Sequence, residues 1–574
     1  MSHRQVLEAL SGLLLGMFVS ILAGTVVSTS LPKIIADLKG DQTAYTWVVV
    51  ATLLATTVTT PIWGKLSDLF NRKLLIQLAL AIFVIGSALA GFSQDTTMLI
   101  GFRVLQGVGA GGLTALSQVI MADIISPRER GKYMGIFGAI MAIGTVGGPL
   151  IGGLLTDSVG WRWNFYVGVP FAILAIILLQ VTLHLPKRPK AKVSIDYLGA
   201  VLIAAGVSIL LIWVSLAGQQ GQFAWASATS FWMVAGAAVA LIAAVLVELK
   251  VKDPVIPMRL FKNRTFTFSV IASISVGVAM FGTSVFLGQY MQLARGATPT
   301  QSGLLTLPMI AGLLVSSVVI GQIISRTGKW KAFMVVGSVL LIVGLVLMGT
   351  IDYDTDYVVL SVYMFVLGCG VGMVMQNLVL VVQNVVAPAE MGVASSAVTF
   401  FRSLGGTAGV SVLGSILGTQ VADHLADKGA ELTAAIMKLG PSGLEIAKSL
   451  KAGTIPSVSS LPESIRVIVE SAYGESVAFV FLVAVPLAVV TLVAVCLLPN
   501  NRLGSKTTIE RLAEENAAAG SGIDSESVIA AAAAEVIDDA EALIAAEPLE
   551  SAEAIADAHG ARRADSESGE HPSL

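Results

Sequence analysis

Fourteen apolar segments run through this 574-residue chain, and most of them carry no charge. They lie near 10–32, 45–64, 74–92, 98–121, 132–156, 165–184, 197–216, 230–248, 267–291, 303–325, 332–350, 357–382, 394–418 and 477–498. Runs of roughly 18 to 25 apolar residues are long enough to cross a bilayer as helices. The chain is therefore expected to be an all-α polytopic membrane protein with fourteen transmembrane helices. Composition agrees: 55% of residues are hydrophobic and 13% charged, where a soluble domain carries about 25% charged residues. The first segment has no small-residue cleavage site in the right place and reads as a retained helix, not a signal peptide. Cys369 and Cys496 both fall within apolar runs. They offer no disulfide framework and no metal-ligand cluster.

Charge gives the orientation. Loops after even-numbered segments hold most of the Lys and Arg, among them Lys65, Arg72, Lys73, Arg128, Arg326 and Lys331. The short loops on the other side hold only Lys33, Lys39, Arg162 and Arg295. Basic loops stay in the cytoplasm, so both termini are expected there, as an even helix count requires. The net charge of −3 conceals an acidic tail: from Asn500 onward 16 Asp and Glu face five basic residues. Rich in Ala and Glu and poor in aromatics, residues 501–574 are expected to be a largely disordered cytoplasmic tail.

The stretch 135–153, GIFGAIMAIGTVGGPLIGG, is the most specific motif. Gly144, Gly148 and Gly152 recur every fourth residue and share one helix face. A smooth glycine face lets a membrane helix approach its neighbour closely, and Pro149 removes a backbone donor and bends the helix. The full set of Gly135, Gly144, Gly148, Pro149, Gly152 and Gly153 resembles the antiporter motif in the fifth helix of major facilitator superfamily exporters.

Gly64-Lys-Leu-Ser-Asp68-Leu-Phe-Asn71-Arg72-Lys73 follows segment 2, and Gly321-Gln-Ile-Ile-Ser325-Arg326-Thr-Gly328-Lys329 follows segment 10. These are copies of one pattern 257 residues apart, as expected of a transporter built from duplicated halves. The first copy resembles the family's signature loop. The resemblance implies that Gly64, Asp68, Arg72 and Lys73, with Asp123 nearby, form a cytoplasmic latch that stabilises the outward-facing state. Leu69 stands where a basic residue is usual and Asn71 where glycine is usual. Asp123 is placed to pair with Arg72 or Arg130, and Asp157 with Arg162.

Arg103-Val-Leu-Gln106-Gly107 resembles the fourth-helix motif, whose arginine is tied to proton transfer. A buried arginine costs about 2.5–3.5 kcal/mol at mid-depth on insertion scales, so it needs a partner, a role or an interface to snorkel to. Gly160-Trp161-Arg162-Trp163 resembles the external signature of the fourteen-helix drug:proton antiporters. That branch often carries an aspartate nine residues before a Leu-Pro pair. Here the pair is Leu31-Pro32, and Ala23 takes the aspartate position. The coupling group is left among Arg103, Asp157 and Asp123. Thr25, Ser28, Thr29, Gln106, Gln376, Asn377 and Arg402 are candidates to line a substrate cavity. Membrane amides such as Gln376, Asn377, Gln383 and Asn384 also commonly hold neighbouring helices together.

The expected architecture is a major facilitator fold: two pseudo-symmetric six-helix halves plus an inserted pair. The boundaries are a first half at 1–190, inserted helices 7 and 8 at 191–255, and a second half at 256–500 with an external loop at 419–476. The expected function is proton-driven export of hydrophobic or amphiphilic small molecules by a monomer in the bacterial plasma membrane. No Walker A sequence occurs, so ATP drive within the chain is not expected. No enzymatic activity, cofactor, metal site or nucleic-acid partner is expected. Two rivals stand beside this reading: a dedicated exporter of one metabolite or lipid, and a membrane sensor or scaffold acting through the acidic tail.

Overall fold

The structure is a computed structural model of the chain. It describes residues 3–39, 42–125, 158–183, 196–218, 223–251, 253–387, 390–438 and 461–504. Between 126 and 157 it describes residues 133, 140, 143–144, 147–148 and 150–156. The chain divides into two compact units, Met1–Thr508 and Ile509–Leu574. The second, with most of the acidic tail, lies outside the described residues. So do Gly135, Pro149 and Asp157.

Apolar runs become helices because a helix satisfies its own backbone donors and acceptors. The first half holds α1 (His3–Asp37), α2 (Gln42–Leu69), α3 (Arg72–Gly91) and α4 (Thr96–Ile124). It continues with α5, described over 150–156, and α6 (Trp163–Thr182). The inserted pair is α7 (Tyr197–Leu216) and α8 (Ala228–Glu248). The second half holds α9 (Arg264–Gln289), α10 (Leu307–Thr327), α11 (Lys331–Met348), α12 (Tyr357–Val385), α13 (Met391–Asp427) and α14 (Glu463–Leu497). Thirteen of these are long and apolar enough to cross a membrane, and α5 supplies the fourteenth segment. No strand occurs among the described residues.

The two halves repeat one packing scheme. In the first, α4 packs between α2 and α3, and α1 packs on α6. In the second, α12 packs between α10 and α11, and α9 packs on α14. Small residues bring the backbones together in both. A methyl at Gly107 of α4 would sit 2.5 Å from the Thr52 carbonyl oxygen of α2. A methyl at Gly368 of α12 would sit 2.0 Å from the Met309 carbonyl oxygen of α10.

The inserted pair bridges the halves. Ile203, Val207 and Leu211 of α7 pack in one apolar cluster with Val58 of α2 and Phe400 of α13. Trp225, just before α8, donates to Ser415 Oγ of α13 at 3.1 Å.

The segment 419–476, expected as a long external loop with helix-like stretches such as 423–437, is mostly helical over its described residues. α13 runs on to Asp427, a short helix follows at Gly429–Lys438, and α14 begins at Glu463. Hydropathy ends each span at the first charges. The added turns are amphipathic instead: Leu425, Ala435, Leu461, Ile465 and Val469 share an apolar cluster. Lys428 and His424 meet Ser471 and Ser476 across it.

Candidate functional site

α2 ends in Gly64-Lys65-Leu66-Ser67-Asp68, and α3 begins one residue after Asn71. Asn71 caps α3: its side chain accepts from the N–H groups of Lys73 and Leu74. That is why asparagine serves where the family uses glycine. The turn places Arg72 inside, with its Nε donating to the Ser67 carbonyl at 2.9 Å. Its guanidinium pairs with Asp123 at the end of α4 and, at 3.1 Å, with Asp68.

Asp68 reaches across to the other half. Oδ1 accepts from Gly392 N–H and Oδ2 from Val393 N–H, each at 3.0 Å. These are two of the donors that a helix N-terminus leaves unpaired. Glu390, the cap residue of α13, makes no cap bond; its carboxylate binds Arg259. Asp68 thus caps α13 from outside. The partial positive charge of the α13 N-terminus adds to Arg72 in stabilising the Asp68 carboxylate. The backbones cross at Gly64 and Gly392: a methyl on Gly64 would lie 1.9 Å from Ser396 Oγ, and one on Gly392 would lie 2.6 Å from the Gly64 carbonyl oxygen.

Lys73 lies apart from this set in the bond it makes to α6, where Nζ donates to the Gln180 carbonyl at 2.8 Å. Gln383, expected only as an amide on helix 12, belongs to the same end. Its Nε2 donates to the Gln118 carbonyl of α4 and to Ser395 Oγ of α13. Among the described residues, every hydrogen bond between the two halves lies at this latch end.

The glycine face of the fifth segment packs on α1. A methyl at Gly148 would fall 1.9 Å from Thr25 Oγ1, and one at Gly152 would fall 2.7 Å from the Val26 carbonyl oxygen. Gly153 points into open space. Thr25 donates to the Gly144 carbonyl at 3.0 Å. The hydroxyl is thus part of the α1–α5 contact. The side chains of Ser28 and Thr29 lie outside the described set.

Farther along the same contact the structure shows a network that the sequence did not single out. Ser30, Thr156 and Asn164 are buried together, with Asn164 Nδ2 2.6 Å from Ser30 Oγ and 2.8 Å from Thr156 Oγ1. It ties α1, α5 and α6 at the end opposite the latch. Each residue alone reads as an ordinary polar position in sequence. Beside it, Trp161 donates to Asp37, and Arg162 stacks on Trp161 and donates to the Ser93 carbonyl.

Arg103 does not snorkel. It is 4% exposed. Its Nη1 donates to Gln106 Oε1 at 2.7 Å and its Nε to the Val48 carbonyl at 3.3 Å. Gln106 passes the chain to Ser87, which donates to the Phe165 carbonyl. Arg402 of α13 is 7% exposed, and its Nη1 has no hydrogen-bond partner among the described residues. Neither arginine forms an ion pair among those residues. On α12, Gln376 leaves a buried Oε1 unbonded, whereas Asn377 donates back to Met373 of its own helix. No cluster of His, Cys, Asp and Glu among the described residues is arranged to hold a metal ion.

At one end the two halves meet through Asp68 and Gln383, and buried polar side chains lie within the helix bundle. Comparisons with known proteins place this bundle in a family. The Major Facilitator Superfamily model matches residues 13–410. The chain is 36% identical over 419 residues to the multidrug transporter protein MdtP of Bacillus subtilis, covering 73% of this chain and 76% of MdtP. It is 32% identical over 510 residues to multidrug resistance protein 3 of the same organism, covering 88% and 97%. Among solved structures, the proton:xylose symporter XylE matches with a TM-score of 0.55 at 14% identity, covering 90% of this chain and all of that one. The latch, the paired six-helix halves and these matches together establish that the chain is a transporter of the Major Facilitator Superfamily.

Proposed function

We propose that this transporter is a secondary active exporter, driven by inward proton flow, of amphiphilic small molecules. It acts in the plasma membrane of a bacterium, with both termini and the latch end in the cytoplasm. The observation that carries this reading is the bond from Asp68 to the α13 N-terminus. Such a contact stabilises one conformer and is absent from the other, as alternating access requires. The named relatives support multidrug export.

The substrate class follows from the interior. A lipophilic cation needs a buried carboxylate, because an unpaired cation is costly there. Arg103 and Arg402 bring positive charge instead, and Ala23 is buried and apolar. Neutral, zwitterionic and anionic amphiphiles fit these groups better than dications. Arg103 is the proton-coupling candidate on its buried chain to Gln106 and Ser87; Asp123 serves the latch.

The test is efflux from vesicles with an imposed pH gradient and a collapsed-gradient control. Accumulation that follows the gradient supports the reading, and transport indifferent to it overturns proton drive. Unchanged efflux after deletion of residues 505–574 separates transport from a role centred on the tail.

A further inference from the structure

Two acidic side chains outside the latch are buried where the inserted pair meets the first half. Asp196 caps α7 and is 6% exposed; Glu248 ends α8 and is 3% exposed. Asp196 Oδ1 accepts from the Gly199 N–H at 2.8 Å, but its Oδ2 is buried without a hydrogen-bond partner among the described residues. Glu248 accepts from Val255 N–H at 3.2 Å and Ile256 N–H at 3.1 Å. The two carboxylates converge on Gly199. The vacant Cβ position of that glycine lies 2.2 Å from Asp196 Oδ2 and 2.9 Å from Glu248 Oε1.

We propose that Glu248, set against Asp196, is a proton-binding site whose occupancy is linked to closure of the latch. The choice of partner follows from charge and space. Among the described residues, Lys65 of α2 is the cation near Glu248 and Asp196 is the acid near it. α13 meets the inserted pair through Phe400, Phe401 and Leu404, which carry no charge. Beyond them, Glu390 is already paired with Arg259. Among the described residues, two bare carboxylates stand against one ammonium and leave a negative charge in an apolar seam, and such a charge is costly. A single proton, delivered by hydronium and leaving water behind, removes it and gives Asp196 Oδ2 a hydrogen-bond partner.

Linkage to the latch follows from geometry. Lys65 adjoins Gly64, where α2 crosses α13. α7 packs on both α2 and α13. When those two helices separate, the inserted pair loses a wall and water reaches the carboxylates. The proton is then held more tightly in the closed state than in the open one, so acid closes the latch. This rests on the alternating-access reading, but its test needs neither substrate nor a gradient.

The experiment uses the full chain in nanodiscs, with spin labels at the exposed residues Phe70 and Lys329 on opposite halves of the latch end. As pH falls from about 8 to about 5, the closed-to-open ratio of the wild type is expected to rise about tenfold, the effect of one unit of differential proton affinity. Glu248→Gln and Asp196→Asn are expected to flatten this response. Glu248→Asp, which keeps the acid, is expected to retain it, and it serves as the folding control. Lys65→Gln is expected to move the midpoint to higher pH. A wild type indifferent to pH, amide variants with the wild-type response, or a midpoint unmoved by Lys65→Gln would each overturn the proposal. Vesicle efflux that failed to follow a proton gradient would leave these distances unaffected.

Discussion

Asp68 on α2 and Gly392 on α13 are 324 residues apart in sequence, and their hydrogen bond at 3.0 Å closes one end of the transporter. The carboxylate does two things with one charge. It pairs with Arg72 and it caps the first turn of a helix in the other half. Asp68 in this chain is thus an interhelical cap as well as an ion-pair partner.

Asp68→Asn keeps the shape and removes the charge. An amide presents one acceptor oxygen, so one of the two α13 donors is left facing an NH2 group. Hydrogen bonds to charged groups contribute about 1.5–3 kcal/mol, and 1.4 kcal/mol is about tenfold. The open population is therefore expected to rise roughly 10- to 100-fold, with slower transport and little change in the amount of protein in the membrane. Cysteine labelling from the two sides reads the balance, and an unaltered pattern would count against the cap.

The two ion pairs at this end are expected to differ sharply. Arg72 is buried between two acids, and removing one partner of such a pair costs about 3–5 kcal/mol. The Arg259 side chain is 72% exposed, and pairs of that kind contribute about 0–1 kcal/mol. Arg72→Gln should markedly lower the thermal midpoint in detergent, while Arg259→Gln should barely move it. Equal losses would show that burial does not set the difference.

Neighbouring glycines of the fifth segment give an internal control. Gly152→Ala must displace the α1 backbone at Val26, whereas Gly153→Ala enters open space. Transport is expected to fall strongly in the first and stay near wild type in the second, with both proteins inserted. Gly148→Leu and Gly152→Leu should abolish transport. Wild-type efflux from Gly152→Leu would make the packing face incidental.

Arg402 sets the expectation for substrate charge. Its Nη1 has no hydrogen-bond partner among the described residues, and the proposed substrate site gives it an acceptor. Arg402→Gln is expected to weaken competition by an anionic amphiphile roughly 10- to 100-fold, by the same charged hydrogen-bond magnitude, and to leave a neutral one near its wild-type value. A dication that competed best, and lost that advantage in Asp157→Asn, would place the substrate carboxylate on helix 5 instead.

Asn164 holds Ser30 and Thr156 in one buried network. Asn164→Ala leaves two hydroxyls short of a partner, at about 1–3 kcal/mol. A lowered thermal midpoint with ion coupling unchanged is the expected result. Lost coupling at wild-type stability would give the network a transport role.

The apolar segments alone determined that the chain crosses a membrane as helices, because lipid offers backbone groups no other partner. Duplicated loop patterns fixed the two halves, and the four-residue glycine spacing fixed which face of the fifth helix is smooth. Such features are local or periodic, so they survive in one dimension. Helix-like character near 423–437 was legible, but the packing of the outer turns of α13 and α14 was not, because their apolar cluster forms only when they meet Leu293 and the Gly429–Lys438 helix. Asp68 was legible as a latch residue, but its capping of α13 was not: that bond needs two helices from different halves to meet. The same holds for the contact of Thr25 with Gly144 and Gly148, which needs α1 and the fifth segment to meet. It holds too for Asp196 and Glu248, ordinary helix-end acids until the inserted pair folds and brings them to one glycine. Sequence sets which groups must be buried, whereas only the tertiary structure decides which of them are buried together.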